Sequence, residues 1–185
     1  MTGDPDMSKS KPEQQSDVAT SPSQASPLFV NTQYVKDLSF ENPSAPASLV
    51  GGQKISPKVD VSVDVSARRM QEKLFEVVLR IRVNASHDDN VLFLAEVDYA
   101  GVFTVGDIPE EEIEPEVLIH APQLLFPFAR AIIADNVRDG GFAPLLVQPI
   151  DFAVLYNQRK EQQKANGQGS KEEKNGHEEG GNTIT

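Results

Sequence analysis

Alternation dominates the middle of the chain. Val59, Val61, Val63 and Val65 alternate with Asp60, Ser62, Asp64 and Ser66. β-Branched residues at a period of two mark a half-buried strand. A second strand is expected over 74–83, with Val77, Leu79, Ile81 and Val83 on one face and Arg80 and Arg82 on the other. Ser86-His87-Asp88-Asp89-Asn90 reads as a hairpin turn. A third strand, 91–99, carries an apolar face of Val91, Phe93, Ala95, Val97 and Tyr99, opposite a mixed face of Leu92, Leu94, Glu96 and Asp98. Gly101 follows, then a short strand over 102–105. Strands joined by such short turns are antiparallel, because parallel crossovers need a dozen or more residues. Upstream, Leu28-Phe29-Val30 and the stretch 34–43 show no clean period. The loop beyond, with Pro43, Pro46, Gly51, Gly52 and Pro57, also holds the apolar Leu49, Val50 and Ile55.

After Gly106 the period changes. Pro109 to Glu114 reads as a short acidic helical turn, its carboxylates suited to a helix start. The main helix is expected over 122–139, with Pro127 in its first turns or dividing it. Gly140-Gly141 stops it, and Asp151 is placed to cap a last helix over 152–164. Leu124, Leu125, Phe126, Phe128, Ala129, Ala131, Ile132, Ile133, Ala134 and Val137 cover more than one side of the main helix. Such a helix is buried on several sides. One four-stranded sheet covers only one of them, so a second copy of the chain is expected on the other. The last helix and the 49–55 loop are the alternative cover.

Composition sets the boundaries. Of 185 residues, 38% are hydrophobic, below the usual share of roughly 45–50%. The shortfall lies at the ends: 1–27 and 161–185 are polar, Gly- and charge-rich, and expected to be disordered. The folded domain is placed at 28–160. A net charge of −11 argues against nucleic acid and against an anionic membrane surface. The opening residues lack the apolar core of a secretory signal, and no run of about 18 apolar residues suggests a membrane span. With no cysteine, disulfides, thiol nucleophiles and Cys-based zinc sites are excluded.

Catalytic patterns are weak. Ser86-His87-Asp88 has triad residue types, but adjacency in a turn is not triad geometry. His87, His120 and His177 lack a second ligand at i+3 or i+4, so no metal or other cofactor is implied. His120 ahead of a buried helix is similar to the layout of hot-dog thioester enzymes, with Asp135 and Asp139 the only helix carboxylates at hand. A structural histidine fits better.

Three motifs together resemble the SecB protein-export chaperone family. They are Tyr34-Val35-Lys36-Asp37-Leu38-Ser39-Phe40-Glu41-Asn42-Pro43, Phe75-Glu76-Val77-Val78-Leu79-Arg80 and Leu125-Phe126-Pro127-Phe128-Ala129-Arg130. Gly140 to Leu145 and Pro149 to Phe152 fit too, and the likeness spans about 28–160. It implies an α+β fold: a four-stranded antiparallel sheet with helices packed on one face, assembled as a dimer of dimers. The homotetramer would be a cytoplasmic, ATP-independent holdase and not an enzyme, binding unfolded preproteins and passing them to the SecA motor ATPase. Motif by motif, the SecA-binding residues would be Asp37, Glu41, Leu94 and Glu96, facing the basic, zinc-binding tail of SecA. Client-groove candidates are Leu49, Val50, Ile55, Phe126, Phe152, Leu155 and Tyr156. The family's relatives often have an aromatic residue where Ile55 stands. A chaperone dedicated to one client, such as an antitoxin, and an oligomeric adaptor are the rival readings.

Overall fold

A computed structural model describes residues 27–50, 56–88 and 90–172, with side chains as far as residue 164. Four strands, β1 (Leu28–Glu41), β2 (Lys58–Gln71), β3 (Leu74–His87) and β4 (Asn90–Val105), form one sheet in the order β1-β4-β3-β2. Every neighbouring pair is antiparallel.

The strand number matches expectation, but the membership differs. β4 runs unbroken through Gly101, so 102–105 is its end rather than a separate strand. Gly101 is required by close approach. A Cβ there would lie 2.6 Å from the Phe103 ring and 3.0 Å from Leu125 on the helix above. The fourth strand is the aperiodic segment at the start of the domain. Its pairing with β4 skips between Val30 and Thr32 and again between Val35 and Asp37, leaving Asn31 and Lys36 as extra residues. Each bulge inverts the alternation, which hides the period of two.

Helical structure runs without a break from α2 (Glu110–Pro115) through a π-helical turn, Glu116–His120, into α3 (Ala121–Asp139). Pro122 has no N–H to give to a carbonyl one turn back, and the widened turn lies just ahead of it. By length and apolarity Glu110–Asp139 passes the composition test for a membrane span. Its apolar stripe has another use. Leu125, Ala129, Ile133 and Val137, spaced by four, are buried in one core with Val77, Leu79, Ile81, Val83, Ala95, Val97 and Phe103 of the sheet. The opposite side stays uncovered in the single chain, where Leu124 is 43% and Phe128 51% exposed.

Both helix-end signals work as read. Gly141 takes φ +89°, its N–H bonds Arg138 O at 3.0 Å, and Phe142 N–H bonds Val137 O at 3.2 Å. These are the paired bonds of a Schellman motif. Asp151 Oδ1 accepts from Ala153 N at 3.0 Å and Val154 N at 3.1 Å, capping α4 (Phe152–Glu172). That helix continues past residue 160, where composition sets the domain end. One helical turn, α1 (Ala47–Val50), lies between β1 and β2.

Leu125 is fully enclosed between α3 and the sheet. Leu125→Ala should therefore lower unfolding free energy by about 2–5 kcal/mol in a denaturant titration.

Candidate functional site

Antiparallel register decides which side chains share the outer face of the sheet. Asp37 lies opposite Asp98, Ser39 opposite Glu96, and Glu41 opposite Leu94. Next in line, Asp98, Glu96 and Leu94 oppose Arg80, Arg82 and Asn84 of β3, which in turn oppose Asp64, Ser62 and Asp60 of β2. Directly opposed residues point to the same side. Asp37, Glu41, Leu94 and Glu96, dispersed in sequence, thus share one surface. A shallow dip of about 390 Å³ bounded by Ser39, Glu41, Asp60, Arg82, Leu94 and Glu96 lies on it.

Higher on the same face, Glu76 is only 6% exposed. Its Oε1 accepts from Tyr34 Oη at 2.5 Å and from Lys36 Nζ at 2.8 Å, and its Oε2 from an Arg68 N–H at 3.1 Å. The Lys36 bond foremost, then the Tyr34 bond, hold the carboxyl at about 2 against the opposing effect of burial, with the charge of Lys36 and the Arg68 bond helping. The same hydrogen bond to Glu76 pushes the Tyr34 phenol up. The bulge residue, Lys36, therefore reaches across the sheet and fixes β1 against β3.

A second feature lies beside α4. Two adjoining hollows of about 560 and 250 Å³ share Val65, Tyr156 and Arg159, along with Leu118. Ile113, Val117 and Phe75 line the larger, Val63 and Leu155 the smaller. Ion pairs ring this apolar cleft. Arg69 meets Glu110 at 2.5 Å, Lys160 lies 3.8 Å from Glu114, and Arg159 binds Asp64 at 3.3 Å and the Val65 carbonyl. Inside, Tyr156 is buried, and Lys160 Nζ sits 4.6 Å from its ring centroid.

The groove candidates separate into distinct places. Leu155 and Tyr156 line the cleft. Phe126 and Phe152 are core residues, 8% and 1% exposed, meeting edge-to-face at 6.1 Å. Leu49 and Val50 lie exposed on α1, with Leu49 close to Gly141 at the end of α3, and are not among the cleft-lining residues. Ile55 lies outside the described residues. Sequence reasoning missed Val65, Leu118 and Arg159 as cleft residues. The valine alternation of β2 was a signal for the first; the others come from the turn of the π segment and from α4.

Rival chemistry finds little geometry. His120 Nδ1 is 2.8 Å from Glu116 Oε2 within the π turn, whereas Asp135 pairs with Arg138 at 2.7 Å. The histidine and the helix aspartate of the enzyme-like reading are thus engaged elsewhere. Among the described residues no group of three or more His, Asp or Glu side chains is placed to hold a metal ion.

A four-stranded antiparallel sheet helix-covered on one face is a fold shared with a solved SecB-like chaperone. The solved example from Mycobacterium tuberculosis, in complex with an antitoxin peptide, aligns with a TM-score of 0.51 over 66% of this chain and 90% of that one. At 16% identity this is a likeness of fold alone. Sequence carries the assignment further. Residues 21–163 match the family described as preprotein translocase subunit SecB. The protein-export protein SecB of Parvibaculum lavamentivorans is 52% identical over 139 residues, covering 75% of this chain and 82% of that one. The protein of the same name from Maricaulis maris is 48% identical over 153 residues, covering 83% and 88%. The chain belongs to the SecB family.

Acid should test the Glu76 cluster. Its folded value is depressed, so the stability it contributes is present above the unfolded carboxylate range, near about 4.3. That stability is lost as pH falls through this range toward about 2. The wild-type thermal midpoint should drop over that window, and Glu76→Gln should flatten the drop while lowering the midpoint at pH 7.

Proposed function

We propose that this chain is a cytoplasmic protein-export chaperone. It holds unfolded preproteins without ATP, has no catalytic role, and delivers them to the SecA motor ATPase. The observation that carries the docking part is the register that sets Asp37, Glu41, Leu94 and Glu96 on one face. An acidic surface with an apolar centre suits the basic, zinc-binding tail of SecA, with charge complementarity speeding encounter. The metal in that contact belongs to SecA.

Client binding is assigned to the cleft beside α4, through Leu155, Tyr156 and their neighbours Val65 and Leu118. Leu49 and Val50 of α1 form a separate exposed apolar candidate, and Ile55, outside the described residues, remains a candidate by resemblance alone. Phe126 and Phe152 act from beneath, as packing that supports α4. Burial of apolar client surface supplies roughly 25 cal/mol per Å² before ordering costs. Repetition over several copies raises the overall affinity.

Assembly as a dimer of dimers is supported by the uncovered side of α3. Leu124 and Phe128 there, and Val35 and Leu38 on the inner side of the edge strand β1, are large apolar groups left exposed by one chain. Phe128 stacks on Tyr99 at 5.9 Å, which extends this surface from helix to sheet. Phe128→Glu should shift the sizing profile from tetramer to smaller species while the chain stays folded.

The deciding experiment dilutes a denatured preprotein into buffer without ATP and follows light scattering. Suppression near one tetramer per client is expected, and no suppression by a folded tetramer would sink the holdase reading. Activity on several unrelated clients separates it from a chaperone dedicated to one. Glu96→Lys sets a third cation beside Arg80 and Arg82. It should weaken SecA binding about tenfold or more and leave aggregation suppression intact.

A further inference from the structure

The outer face does not leave all its carboxylates free. Arg80 holds both oxygens of Asp98, with Nε at 2.5 Å from Oδ1. Glu96 is occupied on both sides too: Oε1 is 3.2 Å from Arg80 Nε, and Oε2 is 2.9 Å from Arg82 Nε. Among the described residues neither Asp37 nor Glu41 has an ion-pair partner. These two stand four residues apart on an extended strand, a span of roughly 14 Å.

The two arginines are not equally tied. Arg80 serves Asp98, which is buried, and stripping a buried carboxylate of its partner is costly. Among the described residues Arg82 pairs with Glu96 alone, and it is itself 50% exposed. Of the contacts that occupy Glu96, the one from Arg82 is therefore the easier to exchange.

Resting on the docking reading above, we propose that Arg82 is a built-in competitor of the basic partner. An incoming lysine or arginine takes Glu96 Oε2 only by displacing Arg82 into solvent, so one ion pair is broken for each formed there. Asp37 and Glu41 gain a cation without losing one. The partner that fits is an extended basic segment with cations spaced to reach both β1 carboxylates, an apolar side chain over Leu94, and a further cation for Glu96. Arg82 thereby keeps the contact weak and readily reversed, as delivery and release require.

The test titrates the tetramer with the zinc-loaded basic tail peptide of SecA by calorimetry at low ionic strength. Arg82→Gln should tighten binding by about three- to tenfold, and the gain should vanish in a Glu96→Gln background. Arg82→Lys, which keeps the charge but loses the Nε contact, should tighten it less. Unchanged or weaker binding by Arg82→Gln overturns the proposal. So does an equal gain with Glu96 replaced, since net charge alone would then explain it. Wild-type affinity that ignores both Asp37→Asn and Glu41→Gln would overturn the docking face itself, and the competitor with it.

Discussion

Glu76 is a carboxylate withdrawn from water, and such an ion is tolerated only where its partners are held in place. Two of those partners, Tyr34 and Lys36, lie on β1, and the third, Arg68, on β2. Satisfying the charge and setting the position of β1 are therefore one event. A slip of a single residue would strip Glu76 of its donors and turn every β1 side chain to the other face. Leu38 and Phe40 would leave the inner side, and Asp37 and Glu41 would leave the outer one. The proposed docking surface thus depends on an ion cluster that lies outside the four residues proposed to form it.

The sheet separates tasks by face. Its inner side is spent on α3, and its outer side carries alternating charge. α3 has apolar groups beyond those the sheet uses, Leu124 and Phe128 among them, and its far side is the one proposed for assembly. The cleft beside α4 is a further apolar surface. Its ring of Arg69–Glu110, Lys160–Glu114 and Arg159–Asp64 pairs surrounds a groove floor of valine, leucine and tyrosine. Exposed pairs of this kind add little stability, but they let an apolar hollow face water in a protein that must not aggregate with itself.

Much of this was legible in the residues. β2, β3 and most of β4 announce themselves by alternation, and Gly140-Gly141 and Asp151 mark helix ends by mechanisms that depend on nearest neighbours. β1 was not legible by period, because the bulges at Asn31 and Lys36 invert it twice. Gly101 misled, because it answers to Leu125 across the core rather than to the chain beside it. On the proposed docking face, Glu96 and Leu94 could be seen as a surface, whereas the ties from Arg80 and Arg82 needed the register of three strands. Phe126 and Phe152 had the chemistry of groove residues. Only packing shows that they face each other inside.

The strand order carries a consequence for folding. β2, β3 and β4 are joined by tight turns and can zip as a local meander, but β1 pairs with β4 across some fifty intervening residues. Closing that loop costs entropy before any pairing rewards it. β1 is the first strand to leave the ribosome and the last able to find its place, since Val105, the partner of Leu28, must be made before the ladder can complete. Until then its apolar residues have no inner face to cover. A chain proposed to shield unfolded segments of others therefore passes, during its own synthesis, through an exposed state of the same kind.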